Sequence, residues 1–249
     1  MHVLQLIADA DEPMNIASLS AASGYPRPTV YRIVGALVAE GVVNETARTG
    51  TFDLGPRLIN LASRSWARSD LRVAAIDALA TLRDVTRETV HLAVPSQLGM
   101  VYIEKLESPH AVRMASRVGT GVTLYSSSVG KAFLAALTPA RREQLLAQLD
   151  IQPLTPNTIT DAAALRQELD ATAQRGYAED REENEAQIFC YGAAIGGTDG
   201  EPLGCISISL PLFRRDPDPY RAYVEPLLAA CADVARRMGQ RPAGSDSQS

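Results

Sequence analysis

No apolar run in this sequence approaches the ~20 residues that a membrane-spanning helix needs. The opening MHVLQLIADADEP has neither a basic start nor a small-residue cleavage site, so no secretory signal is read and a cytoplasmic location is expected. Cysteine is scarce: Cys190, Cys205 and Cys231 are odd in number and far apart, which excludes a disulfide framework or a zinc pattern. Histidine is as sparse, with His2, His91 and His110 scattered. Neither a metal nor a cofactor is expected. Positive charge is also short. Lys and Arg total 24 against 29 Asp and Glu, a net charge of -5, so any nucleic-acid contact must come from a few placed cations rather than a basic cloud. No internal repeat is present.

What remains is an ordinary globular composition, 46% apolar and 21% charged over 249 residues, long enough for two domains. Val3, Leu4, Leu6 and Ile7 start a helix that is short or lacks its beginning. Pro13-Met14-Asn15 breaks the chain, Ser18–Ser23 forms a second helix with Leu19 and Ala22 inward, and Gly24 ends it. In SGYPRPTVYRIVGALVAEG, Pro28 suits a first helical position. Val30, Ile33, Val34 and Leu37 recur at i, i+3, i+4 and i+7 as an apolar stripe, and Glu40-Gly41 closes this third helix. Val42-Val43 and Thr51–Leu54 then read as two strands joined at Ala47–Gly50. Helix, helix, helix and hairpin make a winged helix-turn-helix, assigned to residues 1–57.

A linker helix is read over 58–74, with Leu58, Leu61 and Ala62 on one face and an interruption near Ser69-Asp70. Asp70 is the expected N-cap of the next helix. From 75 to 240 strands and helices mix without a parallel βαβ rhythm. Strands are read at Thr89–Val94, Val101–Leu106 and Val112–Ala115, with a return strand from Gly176-Tyr177. Phe189–Ile195 and Leu203–Leu210 pair across an Asp199-Gly200 turn. Helices are read at Val129–Leu137, Pro139–Gln148, Asp161–Arg175 and Pro219–Met238. The fold class is α+β, an antiparallel sheet with flanking helices, and residues 241–249 form a polar, disordered tail.

The third helix has an apolar back, and its front offers Thr29, Tyr31 and Arg32, as a helix in the major groove requires. Arg can pair with guanine through two hydrogen bonds and Thr can set its methyl on thymine. Arg27, just before the helix, and Pro28, inside its first turn, stand where a helix N-terminus favours phosphate. Arg48 and Thr49 at the wing tip can reach the DNA backbone or minor groove. Between residues 21 and 70, six arginines face four acidic side chains, a net +2, which leaves −7 on the rest.

The segment MNIASLSAASGYPRPTVYRIVGALVAEGVVNETARTGTFDLGPRLINLA resembles the DNA-binding domain of IclR-type transcriptional regulators. LYSSSVGKAFLA, RGYAEDREENEAQIFCYGAAI and EPLGCISISLP resemble that family's effector domain, in the same order and spacing over residues 1–240. The resemblance implies a GAF-like second domain and an effector pocket at Ser128, Val129, Asp180, Ile188, Cys190, Ser207 and Ser209, with Met114 a looser match. It also implies a homodimer, or a homotetramer built as a dimer of dimers, on operator DNA.

The residues themselves are consistent with a ligand site. Tyr125–Lys131 places hydroxyls and free N–H groups at a helix start, which attracts a carboxylate, though serines there also serve as plain N-caps. Gly130 permits close packing or ligand approach, and Ser207 and Ser209 share a strand face. An organic-acid effector is expected. Ser128–Lys131 matches the S-x-x-K motif of penicillin-recognising enzymes, but K-T-G is absent and Ser69-Asp70 is followed by Leu71 rather than Asn. A phosphate-binding loop fails too, because Tyr125 replaces its first Gly and Ala132 its Ser/Thr. Glu179–Glu185 reads as a solvated acidic loop, and Cys190 as a wall residue rather than a nucleophile. Trp66 is a candidate anchor for a helix–helix dimer contact. The function expected is a ligand-switched DNA-binding regulator, repressor or activator. The alternatives are a metabolic enzyme using Cys190, Ser128 and Asp180, or a ligand sensor that never meets DNA.

Overall fold

In a computed structural model, residues 1–97, 99–197 and 200–240 are described. The chain divides into two compact units, parting between Ser69 and Asp70. The first unit runs α1 (His2–Asp9), β1 (Met14–Asn15), α2 (Ile16–Ser23), α3 (Arg27–Ala39), β2 (Val43–Thr46), β3 (Thr51–Leu54) and α4 (Arg57–Ala67). Met14-Asn15, read only as a break, adds a third strand to the wing, whose order is β1-β3-β2. Asn15 then caps α2: its side chain accepts from the Ala17 and Ser18 amides at 2.9 and 3.0 Å, and Ser18 Oγ accepts from the Asn15 amide at 2.9 Å. Val3, Leu4, Ile7, Leu19, Val30, Val34, Val43 and Phe52 form the core, with Leu58 packed against it. Ala22, expected inward, is exposed.

The second unit runs α5 (Asp70–Thr86), β4 (Thr89–Ser96), β5 (Gly99–Leu106), β6 (Gly121–Val122), α6 (Ser128–Ala136), α7 (Pro139–Leu146), α8 (Ala162–Arg175), β7 (Ala178–Arg181), β8 (Ile188–Gly196), β9 (Pro202–Pro211) and α9 (Glu225–Gln240). Residues 70–74 lie in α5, with Leu71 and Ala74 buried, so the helix read as a linker ends sooner than expected. The six strands pair antiparallel in the order β6-β5-β4-β9-β8-β7. Both faces of the sheet are covered. Val90, Leu92, Ile206, Ile208, Leu210, Tyr191 and Ala193 pack with Leu71, Leu79 and Leu82 of α5 and Leu227 and Val234 of α9. Ala93, Met100, Tyr102 and Cys205 pack with Val129, Leu134, Leu165 and Leu169 of α6 and α8. The period-two alternation of a strand sorts these residues. It leaves His91, Cys190, Ser207 and Ser209, all buried, on the α6 side.

Val112–Ala115 is not a strand, contrary to expectation. Its stretch gives carbonyls to a lysine instead of a ladder: Lys105 Nζ donates to Met114 O and Ser116 O at 2.7 and 2.6 Å. Gly176 (φ 83°) caps α8, so the return strand starts at Ala178. Asp199 of the expected turn and the tail 241–249 lie outside the described residues.

Candidate functional site

The first site is α3. Val30 and Val34 are buried, while Tyr31 is 71% exposed and Arg32 stands beside it in solvent, with Thr29 half-buried. The turn before α3 is fixed by Gly24 (φ 71°), whose amide donates to Ser20 O at 3.1 Å, and by Ser20 Oγ donating to Tyr25 O at 2.7 Å. Arg27 is the first residue of α3 rather than its predecessor, and Pro28 sits in the first turn. No side chain caps this N-terminus; Pro28 carries no N–H, and the Thr29 and Val30 amides donate to Pro26 O at 2.9 and 3.1 Å. At the wing tip Arg48 is exposed, whereas Thr49 Oγ1 is engaged by Thr51 Oγ1 at 2.7 Å. Arg57 binds the Glu40 carbonyl and carboxylate at 2.8 and 2.7 Å, at the C-terminal end of α3. Among the described residues Arg27, Arg32 and Arg48 pair with no carboxylate.

The second site is a cavity of about 610 Å³ between the sheet and the N-terminus of α6. Strand register sets its floor: Asp180 on β7 lies opposite Cys190 on β8, which lies opposite Ser209 on β9. Ser128, Ile188 and Met114 complete the expected wall. Ser127 is spent as a cap, accepting from the Gly130 amide at 3.0 Å and donating to Thr123 O at 2.7 Å. Ser126 Oγ donates to Asn184 Oδ1 at 3.0 Å. Ser128 alone of the three has no such bond among the described residues.

Three expected residues do not face the cavity. Val129 is wholly buried in the α6–α8 core. A Cβ on Gly130 would meet Thr123 O at 2.3 Å, so this glycine serves helix packing. Ser207 lies behind His91, Oγ to Nδ1 at 3.4 Å. The sequence reading also missed residues that do face it: His91, Tyr102, Ser116, Arg117, Thr120, Thr123, Asn184 and Glu185. Strand alternation placed His91 on the right face once the β4–β9 register was known, but no local motif marks it.

Burial dominates the electrostatics. His91 stacks on Tyr102 (ring centroids 4.3 Å apart) and shares a 2.8 Å hydrogen bond between Nε2 and Ser116 Oγ. Burial, then the Lys105 charge, lowers its pKa to about 3, so it is a neutral imidazole. Burial also raises Asp180 to about 7, against two backbone bonds to Oδ1, from Glu183 at 2.8 Å and Asn184 at 3.2 Å, and the nearby Lys131. The acidic loop is therefore not all solvated: Asp180 and Glu183 are buried, and Glu183 pairs with the fully buried Lys131 at 2.5 Å. That pair commits the lysine of the S-x-x-K match. Burial pushes the Cys190 thiol well up, and Asp180 adds to it, which opposes the thiolate a nucleophile needs. Among the described residues no group of His, Cys, Asp and Glu could hold a metal, and no helix is long and apolar enough to cross a membrane.

Two family profiles match the chain. Residues 1–47 match the IclR helix-turn-helix domain, and residues 64–236 match the bacterial transcriptional regulator IclR C-terminal region. The HTH-type transcriptional regulator KdgR of Dickeya chrysanthemi is 30% identical over 237 residues, 95% of this chain and 77% of that protein. The crystal structure of the Thermotoga maritima IclR superposes with a TM-score of 0.72 at 30% identity, covering 96% of each chain. An IclR homologue from Microbacterium hydrocarbonoxydans, complexed with 4-hydroxybenzoate, superposes with a TM-score of 0.77 at 26% identity over 96% of this chain and 97% of that one.

Proposed function

Since the chain belongs to the IclR family of transcriptional regulators, and is a DNA-binding regulator rather than an enzyme, we propose that a small organic acid switches it on and off its operator in the cytoplasm. The observation that carries this reading is the polar row Asp180–Cys190–Ser209 that, with Ser128, lines a 610 Å³ cavity in a different unit from the DNA-facing helix. Ser128, Asp180, Ile188, Cys190, Ser209 and Met114 are the proposed effector contacts. Arg27, Pro28, Thr29, Tyr31, Arg32, Arg48 and Thr49 are the proposed DNA contacts. The carboxylate of 4-hydroxybenzoate in a relative supports an acid as the ligand class.

One recognition helix contacts few base pairs, so two copies acting on a palindrome are required for useful specificity. The protein is proposed to bind as a homodimer or as a dimer of dimers. An acid that favours one arrangement of protomers changes operator affinity by its own differential affinity for the two arrangements. Gel shift of the protein on the DNA upstream of its own gene, with and without a panel of organic acids, tests the reading. Specific retardation that one acid abolishes or strengthens supports it. Ligand binding without retardation would instead favour a sensor that acts through protein partners.

A further inference from the structure

The cavity wall includes two carboxylates, Asp180 and Glu185. Three cations lie in or beside it, and two are committed. Lys131 is paired with Glu183. Lys105 is held by Glu107 at 2.8 Å and by the Met114 and Ser116 carbonyls. Arg117 faces the cavity and, among the described residues, has no carboxylate partner.

Its backbone is nonetheless firmly set. The irregular stretch 113–120 is stitched down on both sides of Arg117. His91 Nε2 and Ser116 Oγ share a 2.8 Å bond. Thr120 N donates to Arg117 O at 3.0 Å, Gly119 N to Tyr102 O at 2.7 Å, and Tyr102 N to Thr120 O at 3.1 Å. A nearly buried lysine and a buried neutral histidine thus serve to hold one exposed arginine at the cavity mouth. Burying such groups costs free energy, and the arrangement fixes the backbone from which the Arg117 side chain extends at the cavity. A planar guanidinium suits a carboxylate through two parallel hydrogen bonds.

We propose that Arg117 is the cation that selects the effector: the ligand's carboxylate meets Arg117, and its other, hydroxyl- or oxo-bearing end meets Ser128, Asp180 and Ser209. This deepens, and rests on, the reading of the cavity as the effector site. Lys105 is then a positioning residue, acting through the loop it anchors.

The test uses the full-length protein and a thermal-shift panel of hydroxy- and oxo-acids, aliphatic and aromatic and including 4-hydroxybenzoate, each beside its primary amide. Hits are titrated by calorimetry. The expected result is that an acid binds, its amide binds much more weakly, and Arg117→Ala weakens the acid at least about tenfold, the scale of a charged hydrogen bond, while leaving the amide unchanged. Acid-over-amide preference thus collapses, which a merely structural role would not produce. Arg117→Lys should restore part of that preference, and Lys105→Met should reduce it. Equal binding of the acid by wild type and Arg117→Ala overturns the proposal, as does a panel in which only neutral compounds bind; both leave the effector-site reading standing. If neither acids nor amides bind, the effector-site reading falls and the proposal with it.

Discussion

Arg32 and Lys131 show how differently two cations can be used. Arg32 is exposed on the front of α3, and its replacement by Ala should weaken specific operator binding by about 1–3 kcal/mol if it reads guanine. Competition titrations against a mismatched operator check this, with specificity relaxing at one base-pair position. Lys131 is buried against Glu183. Lys131→Met should destabilise the protein by roughly 3–5 kcal/mol in urea unfolding, because the Glu183 carboxylate stays buried without its partner. The pair Lys131→Met with Glu183→Leu should recover much of that loss. Asp180 gives a pH signature. Its pKa, raised from 3.8 to about 7, means the folded state holds a proton that the unfolded state has lost, so its contribution falls as pH rises from about 4 to 7. His91, lowered from 6.5 to about 3, acts with the opposite sign: stability rises with pH through about 3 to 6.5. The two nearly cancel in the shared window. Asp180→Asn keeps an acceptor for the two backbone amides and removes one side of the balance. Its stability should therefore rise with pH between 4 and 6.5, by up to about 1.4 kcal/mol per pH unit relative to wild type, as denaturation series in that range would register.

At the scale of elements, two glycines let the start of α6 pack closely on its neighbours. Gly130 lets the helix touch the Thr123–Leu124 backbone, and Gly192 lets β8 pass under Ser128, where a Cβ would lie 2.6 Å from the Ser128 carbonyl. Both contacts are with backbone, so neither neighbour can turn aside. Gly130→Ala should cost at least about 1–3 kcal/mol of stability, measured as a lowered urea midpoint with an unchanged slope. The serine run showed in the sequence as a helix start, and that is where it lies. Which serine caps and which remains available was not legible, because Ser126 and Ser127 find their partners in Asn184 and Thr123 only after folding. The acidic run hid a similar distinction: only pairing with β8 and with Lys131 buries Asp180 and Glu183.

Across the whole molecule the charge problem resolves by segregation. The −5 total combines +2 over residues 21–70 with an acidic remainder. A surface with so few free arginines should bind non-specific DNA weakly and lose specific binding as salt rises. Helix α4 buries none of its residues, with Ile59, Leu61 and Trp66 exposed by 74%, 50% and 39%, more apolar surface than a lone surface helix needs. We expect it to be covered by a second copy. Ile59→Glu should shift the protein toward monomer in sedimentation velocity and lower operator affinity in parallel.

The sequence by itself determined the winged helix, most of the alternating strands, the helix cap at Gly24 and the polar face of α3. Each follows from contacts within a few residues, whose period and capping chemistry are written locally. The family resemblance implied Ser128, Asp180, Cys190 and Ser209 at the cavity, and tertiary structure alone added His91 and Arg117. His91, Arg117, Ser128, Asp180, Cys190 and Ser209 come from five strands and helices and one irregular loop, and only antiparallel register and burial bring them together. The same burial keeps His91 neutral and moves Asp180 to about 7, because removing a charged group from water is a property of the folded environment and not of the residue type.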